Sequence, residues 1–258
     1  MIPGTTCLKT PSLEPFTEIS PRGGSIYWRP RDKAASTAPE RVWGEEVTER
    51  FQVKENGGSF WIDFGAGYSS GIFLDQRLNR RRVGEESGPD RRILNTFAYT
   101  GGFSVMAARA GATTTTADLS KTYLNWTWDN FAANGLDADA HFGVKGDAIE
   151  WMQAFAKKGR TFHGIVLDPP TFSRNGKNTF RTDSDYAGLA GLAASLVEPG
   201  GWLLCCANTH HLHPKQFEKD VISGIKQKGK SVNSIDFLTM PPEFHGDDYL
   251  KSLWVVVG

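Results

Sequence analysis

The chain has 258 residues with 29 Lys and Arg against 29 Asp and Glu, so it can bury a core without disulfide staples and has no overall positive field to draw it onto a polyanion. With 39% hydrophobic, 22% charged and 12% aromatic residues, disorder and fibrous repeats are excluded as starting points. No apolar run approaches the roughly 20 residues of a membrane span, the stretch Met1–Cys7 lacks a basic end leading into an apolar run, and three cysteines with neither disulfide nor zinc spacing fit a reducing compartment, so a cytoplasmic location is expected.

Residues 1–65 read as a β-rich N-terminal extension. Pro3, Pro11, Pro15, Pro21 and Pro30 interrupt it, and from Phe51 to Phe64 apolar residues alternate about Asn56-Gly57, the turn chemistry of a two-stranded hairpin. Residues 66–258 form the second part. Apolar, β-branched runs predict strands near 92–96, 113–118, 140–145, 162–168, 201–207, 231–238 and 251–257. Between them, Leu124, Trp128 and Phe131 recur at helical spacing after Ser120, a candidate N-cap, and before Gly135, a candidate stop. Trp151, Met152 and Phe155 follow Asp147 in the same way, and Phe217, Val221, Ile222 and Ile225 follow Pro214. Strands and helices alternating this regularly imply right-handed crossovers, and so a Rossmann-like α/β fold with a seven-stranded, mostly parallel sheet and helices on both faces.

Ligands of such sheets sit beyond the carboxyl ends of the strands, so chemistry is sought just after each run. After the first comes Asn95-Thr96-Phe97-Ala98-Tyr99-Thr100-Gly101-Gly102-Phe103, whose glycines allow close backbone approach and whose far end opens a helix with free amides suited to an anionic group. The second run ends in Asp118, a carboxylate able to accept both ribose hydroxyls of a nucleoside, or simply to cap the helix near Ser120. Gly146-Asp147-Ala148 follows the third, where Asp147 suits an adenine amine or an N-cap. The fourth ends in Asp168-Pro169-Pro170-Thr171-Phe172. There each proline ring fixes φ and pushes the preceding residue out of the helical region, holding carbonyls and an aromatic at the sheet rim.

Together with Gly71-Ile72-Phe73-Leu74-Asp75-Gln76-Arg77, Asp118-Leu119-Ser120-Lys121 and the Tyr249-Leu250-Lys251 approach to the last strand, these motifs resemble the class I S-adenosylmethionine-dependent ribosomal RNA large-subunit methyltransferases. Bacterial members of that family modify carbon-5 of cytosine or nitrogen-7 of guanine. The resemblance implies S-adenosyl-L-methionine as cofactor, with Asn95 and the backbone of Phe97, Ala98, Tyr99, Thr100 and Gly101 cradling its methionine part. It places Asp118, Leu119 and Ser120 at the ribose and Asp147 with Ala148 at the adenine, and has Phe73, Asp75 and Arg77 close the site, Arg77 facing the cofactor carboxylate. Asp168, Pro169 and Pro170 then border the methyl-transfer centre. A rival reading makes Arg77 part of a basic surface with Arg80, Arg81 and Arg82.

Carbon-5 of cytosine is a poor nucleophile and needs a cysteine thiolate added to the ring, whereas a ring nitrogen with a lone pair needs only positioning. The resemblance sets Asn208, not cysteine, at the nucleophile position, which favours guanine N7, and Cys205 and Cys206 are expected inside the sheet. His210, His211 and His213 suggest a polar loop with no metal. Ribosomal RNA is the expected partner. Residues 1–92 hold 14 Lys and Arg against 13 Asp and Glu, with no basic module evident, so RNA contact is expected from Arg80–Arg82 and Arg91-Arg92 with Tyr27, Trp28, Arg29 and Arg31, or else that surface is a packed hairpin rim. A small-molecule methyltransferase and a non-catalytic cofactor-binding scaffold are the alternatives. A nicotinamide dehydrogenase is disfavoured because the turn lacks G-x-G-x-x-G spacing.

Overall fold

The computed structural model of the protein describes residues 24–28, 39–66, 69–175, 178–244 and 249–258; Cys7, Arg29, Arg31 and the five prolines of the N-terminal segment lie outside them. The chain divides into two compact units, Met1–Phe51 with Ile62–Ser70, and Gln52–Trp61 with Gly71–Gly258. In the first, β1 (Ser25–Trp28) pairs antiparallel with β2 (Glu40–Gly44). The Tyr27 ring packs 4.6 Å from that of Phe64 and its hydroxyl accepts from the Val47 amide at 2.6 Å, so this aromatic is committed to its own unit.

The second unit begins with residues 52–61 of the hairpin β3 (Phe51–Glu55) and β4 (Gly58–Ile62), turned at Asn56 and Gly57, both with positive φ as a tight hairpin turn requires. There follow α1 (Arg77–Glu85), β5 (Arg92–Thr96), α2 (Gly102–Arg109), β6 (Thr113–Asp118), α3 (Lys121–Ala133), β7 (Phe142–Lys145), α4 (Ala148–Lys157) and β8 (Phe162–Leu167). A small ladder, β9 (Phe172–Asn175) with β10 (Asn178–Arg181), precedes α5 (Thr182–Ala194), β11 (Val197–Asn208), α6 (Pro214–Gln227), β12 (Val232–Leu238) and β13 (Leu250–Val257).

The seven-stranded sheet has the order β12-β13-β11-β8-β5-β6-β7, parallel from β11 to β7, with β13 antiparallel to both its neighbours. All seven strands fall where the sequence predicts them. The largest difference is in β11, which starts at Val197 because the chain pairs once with β8 there and resumes the ladder at Trp202 after a register shift across Glu198-Pro199-Gly200-Gly201. Side chains alternate along each strand. Leu203, Cys205 and Ala207 face a core shared with Met152 of α4, Tyr186 of α5 and Phe217 of α6. Trp202, Leu204 and Cys206 face one shared with Val83 of α1 and Phe103 of α2. On the first face α5 and α6 cross so closely that a Cβ at Gly224 would lie 2.0 Å from the Ala187 carbonyl oxygen, which only glycine permits.

The hairpin belongs to the second unit, whereas the boundary read at residue 65 gives it to the N-terminal extension. The reason lies in two amides on α3. Asn130 Oδ1 accepts from the Trp61 amide at 2.8 Å, and Asn134 exchanges bonds with Ser59 N and O at 2.9 and 2.7 Å, so side chains stand in for a neighbouring strand. Phe60 completes the attachment by packing with Val105, Met106 and Phe131.

Candidate functional site

β5, β6 and β7 succeed one another outward in one direction, and β8 returns on the other side of β5, so the loops after β5 and β8 leave a crevice between them at the reversal of strand order. The loop after β5 has an unusual backbone. Phe97 and Tyr99 adopt left-handed φ of 53° and 51°, a conformation non-glycine residues keep only where surroundings impose it. Gly101 follows at φ 75°, and a Cβ there would lie 2.4 Å from Thr127 Cγ2, so only glycine closes this turn onto α3. Beneath the loop, Asn95 donates to Ser104 Oγ at 2.9 Å, Ser104 meets Thr116 Oγ1 at 2.8 Å, and Thr96 Oγ1 donates to the Val166 carbonyl at 2.6 Å. Asn130 Nδ2 donates to the Thr100 carbonyl at 2.9 Å, tying hairpin, helix and loop to a single side chain.

Asp118 ends β6 with one oxygen accepting from the Tyr99 amide and the other from the Ser120 amide, both at 2.8 Å. Burial raises its pKa, against the pull of those two amides. Each oxygen keeps a lone pair for a further donor, and Leu119 beside it is 47% exposed. Ser120 caps α3 through Tyr123 N, as its position in the sequence predicts. Asp147 caps α4 through Ile149 N and Glu150 N with Ala148 as first helical residue, so its Oδ1 is already engaged. A ligand would meet its other oxygen.

On the opposite side of the crevice, a strap from Gly71 to Gln76 lies against the loop. Gly71 N donates to the Tyr99 hydroxyl at 2.9 Å, Thr100 Oγ1 donates to the Gly71 carbonyl, and the Phe73 and Tyr99 rings lie 5.2 Å apart. Gln76 at the end of the strap and Asn79 in the first turn of α1 are polar residues that the sequence reading did not single out as ligands. Gln76 Nε2 donates to Asp168 Oδ2 at 3.0 Å, while its Oε1 accepts from Asn79, which also donates to Ser252 Oγ at 2.8 Å. Asp168 therefore stands at the end of a buried chain of amides running from β13. Burial raises its pKa to about 7, with Asp75 pushing the same way and the Gln76 bond and the Arg80 charge opposing. Asp75 accepts from the Tyr249 hydroxyl at 2.8 Å through Oδ2, and its Oδ1 is buried without a partner among the described residues. That spare acceptor, the open lone pairs of Asp118 and the loop backbone form a donor and acceptor set suited to an amino acid joined to a nucleoside.

Beyond Asp168, Pro169 is buried and Pro170 exposed. Asn208, exposed at the tip of β11, accepts through its carbonyl from Thr171 Oγ1, which brings Asn208 beside the two prolines. Tyr186 donates to the carbonyls of Leu167 and Cys206 at 3.1 and 2.9 Å and locks these strand ends together. Cys205 and Cys206 are fully buried, and burial pushes the Cys205 thiol up to about 12 and that of Cys206 well above its ordinary value. His213 caps α6 through Lys215 N, and among the described residues no three His, Cys, Asp or Glu are grouped to hold a metal.

Arg77, Arg80, Arg81, Arg82 and Arg92 each pair with a protein carboxylate. Arg77 meets Glu243, with Nη2 2.9 and 2.8 Å from its two oxygens. Arg80 is no RNA-facing residue. It is 3% exposed, because the helical period turns it inward with Asn79 and Val83, and it forms a two-point pair with Glu55 at 2.7 and 2.8 Å while donating to the Phe73 carbonyl at 2.8 Å. Arg81 pairs with Glu85, and Arg82 with Glu86 while lying over Trp254. Arg92 begins β5, at the end of the strand away from the crevice, and pairs with Glu198.

A family model described as S-adenosylmethionine-dependent methyltransferase matches residues 21–256. The ribosomal RNA large subunit methyltransferase K/L of Shewanella sp. (strain ANA-3) is 35% identical over 235 residues, which are 90% of this chain and 32% of that one. Its namesake in Methylococcus capsulatus is 34% identical over 214 residues, 81% of this chain and 28% of that one, so the chain spans only about a third of these relatives. The solved structure of SMU.776 complexed with SAH superposes with a TM-score of 0.75 at 30% identity, covering 84% of this chain and 58% of that one.

Proposed function

Because the chain belongs to the S-adenosylmethionine-dependent methyltransferase family, we propose that it transfers a methyl group to a base of large-subunit ribosomal RNA, with nitrogen-7 of guanine favoured over carbon-5 of cytosine. An RNA-modifying role places it in the cytoplasm; among the described residues no helix is long and apolar enough to cross a membrane. The observation that carries the reading is the crevice at the strand reversal, with Asp118 on one rim and Asp168 on the other, in a chain whose named relatives are ribosomal RNA methyltransferases.

When bound, the cofactor supplies an electrophilic methyl group on a sulfonium. Asp118, with Leu119 and Ser120, holds the ribose, Asp147 and Ala148 meet the adenine, and Asn95 and Phe97–Gly101 cradle the methionine part. Phe73 and Asp75 close the site, the spare Asp75 oxygen taking the cofactor ammonium, and Arg77 reaches its carboxylate only by exchanging away from Glu243. Asp168, Pro169, Pro170 and Asn208 line the place of the target base. Guanine N7 has a lone pair and no proton to lose, so these residues need only orient the ring and face the positive charge left on the purine. Carbon-5 of cytosine would need a thiolate, and both described cysteines are buried thiols.

Incubation of the protein with tritiated cofactor and unmodified large-subunit ribosomal RNA, free or in ribosomal particles, tests the reading. Label recovered in RNA as 7-methylguanosine is expected, and the Cys205→Ala/Cys206→Ala variant retains the transfer. Label in 5-methylcytidine, lost with either cysteine, would reverse the base assignment, and label entering only small molecules would replace the RNA substrate.

A further inference from the structure

The arginines of α1 and Arg92 are taken up by carboxylates, so an RNA backbone must be met by another cationic face. α6 carries one. Its buried residues Phe217, Val221, Gly224 and Ile225 form one stripe, and Lys215, Lys219 and Lys226 recur at helical spacing on the side turned away from it. All three are exposed, and no ion pair involves any of them among the described residues. Of the helix's two acids, Asp220 accepts from Gln216 Nε2 at 2.7 Å and Glu218 is half-buried on the flank. From Pro214 to Lys230 there are five lysines against two acids, in a chain whose charges otherwise cancel. The helix itself gains nothing from this pattern. Lys215 sits in a first turn that holds no acid, where the helix dipole disfavours a cation, and Lys215 and Lys219 repel one another across one turn. The stripe starts at the crevice end of the sheet. β11 ends at Asn208 beside the two prolines, the Leu212 amide turns back to the Thr209 carbonyl at 3.2 Å, and α6 begins directly after.

We propose that Lys215, Lys219 and Lys226 form a track for the phosphate backbone of the RNA strand that carries the target base. The proposal deepens the RNA reading above and rests on it. The rise of the helix spreads the three residues over about 16 Å, and the charges of one nucleic-acid strand recur about every 3.4 Å along a duplex axis, so the stripe spans several phosphates. Lysine ammonium groups on flexible stems act as point charges, which suits backbone contact without reading of the bases. The track therefore supplies affinity and register and leaves the chemistry to the crevice. It acts on KM for RNA and not on kcat.

The test measures binding of unmodified large-subunit ribosomal RNA across a salt series, kcat and KM for methyl transfer, and SAH affinity by calorimetry. Wild type is compared with Lys215→Gln/Lys219→Gln/Lys226→Gln, with the same triple changed to arginine, and with Lys54→Gln/Lys157→Gln/Lys158→Gln, which removes equal charge at exposed positions elsewhere. The glutamine track variant is expected to lose about ten-fold or more in RNA affinity, with the slope of log K against log salt shrinking by about two units, since each lost phosphate contact removes roughly 0.7–0.9. Its KM for RNA rises in step, its kcat and SAH affinity stay within about two-fold of wild type, and the arginine and control variants bind RNA within about three-fold. An unchanged salt slope in the glutamine variant overturns the track, as does an arginine or control variant that loses as much affinity. A fall in kcat or SAH affinity overturns it too, by placing the lysines in the crevice's own chemistry. If wild type binds SAH yet transfers no methyl to RNA, the functional reading fails and the track with it; a wild type that methylates RNA beside an unaltered glutamine variant sinks the track alone.

Discussion

Replacing Arg80 with alanine is expected to remove about 3–5 kcal/mol of unfolding free energy, because it leaves the Glu55 carboxylate buried without its partner. Side-chain exposures of 3% and 7% put both ends of the pair out of reach of solvent screening. Arg80 also holds the Phe73 carbonyl, and through the strap it governs Gln76 and the amide chain on Asp168. The loss is therefore felt at the rim as well as in the core, and removing the Arg80 charge raises the Asp168 pKa further. Replacing both partners at once, as Glu55→Leu/Arg80→Met, is expected to restore most of the stability, since two apolar side chains leave no orphaned charge. Urea unfolding of the two variants checks this. An Arg80→Ala loss below about 1 kcal/mol would mean that solvent reaches the pair.

Asp168→Asn is expected to lower methyl transfer by about 100-fold, the scale found when one well-placed electrostatic partner of a charged transition state is removed. In the proposed role, the asparagine keeps the shape but not the charge that would face the methylated purine. Because burial raises the Asp168 pKa from 3.8 to about 7, wild-type activity should climb with pH through a limb near 7, and the asparagine variant should lack that limb. Stability runs the other way. An acid whose folded pKa is raised favours folding most below its unfolded value, and that contribution fades as pH rises from about 4 to about 7. The pH profile of kcat with saturating cofactor and RNA checks the first point. A flat wild-type profile from pH 5 to 8 would remove Asp168 from its place beside the base.

The sheet was legible because each strand is a short run of apolar or β-branched residues, and α3, α4 and α6 start at residues with a capping side chain. Ser120 and Asp147 cap as their positions predict. Asp118 and Asp168 stand out as candidate site residues for a simpler reason: they end strands, and strand ends border the ligand crevice in this architecture. What a linear reading missed is pairing at long range. Arg80 looked like one cation in a basic run, because its partner Glu55 lies 25 residues upstream on a hairpin assigned to another part of the chain. The period of the helix carried the signal: Gln76, Asn79, Arg80 and Val83 recur at the spacing of one buried stripe, so polar residues there had to be satisfied internally. Gln76 and Asn79 escaped notice for the same reason. The attachment of the hairpin to α3 was not legible, because Asn130, buried on that helix, and Asn134, half-buried at its C-terminal cap, do what a partner strand would do, and no pattern of hydrophobicity announces that.

Calorimetry with S-adenosylmethionine and S-adenosylhomocysteine tests the central claim most directly, because every step depends on the strand tips gripping that nucleoside. Micromolar binding of both is predicted, weakened by about ten-fold or more in Asp118→Ala, which loses the acceptor for the ribose. No heat with either compound, or an Asp118→Ala variant that binds as tightly as wild type, would contradict it.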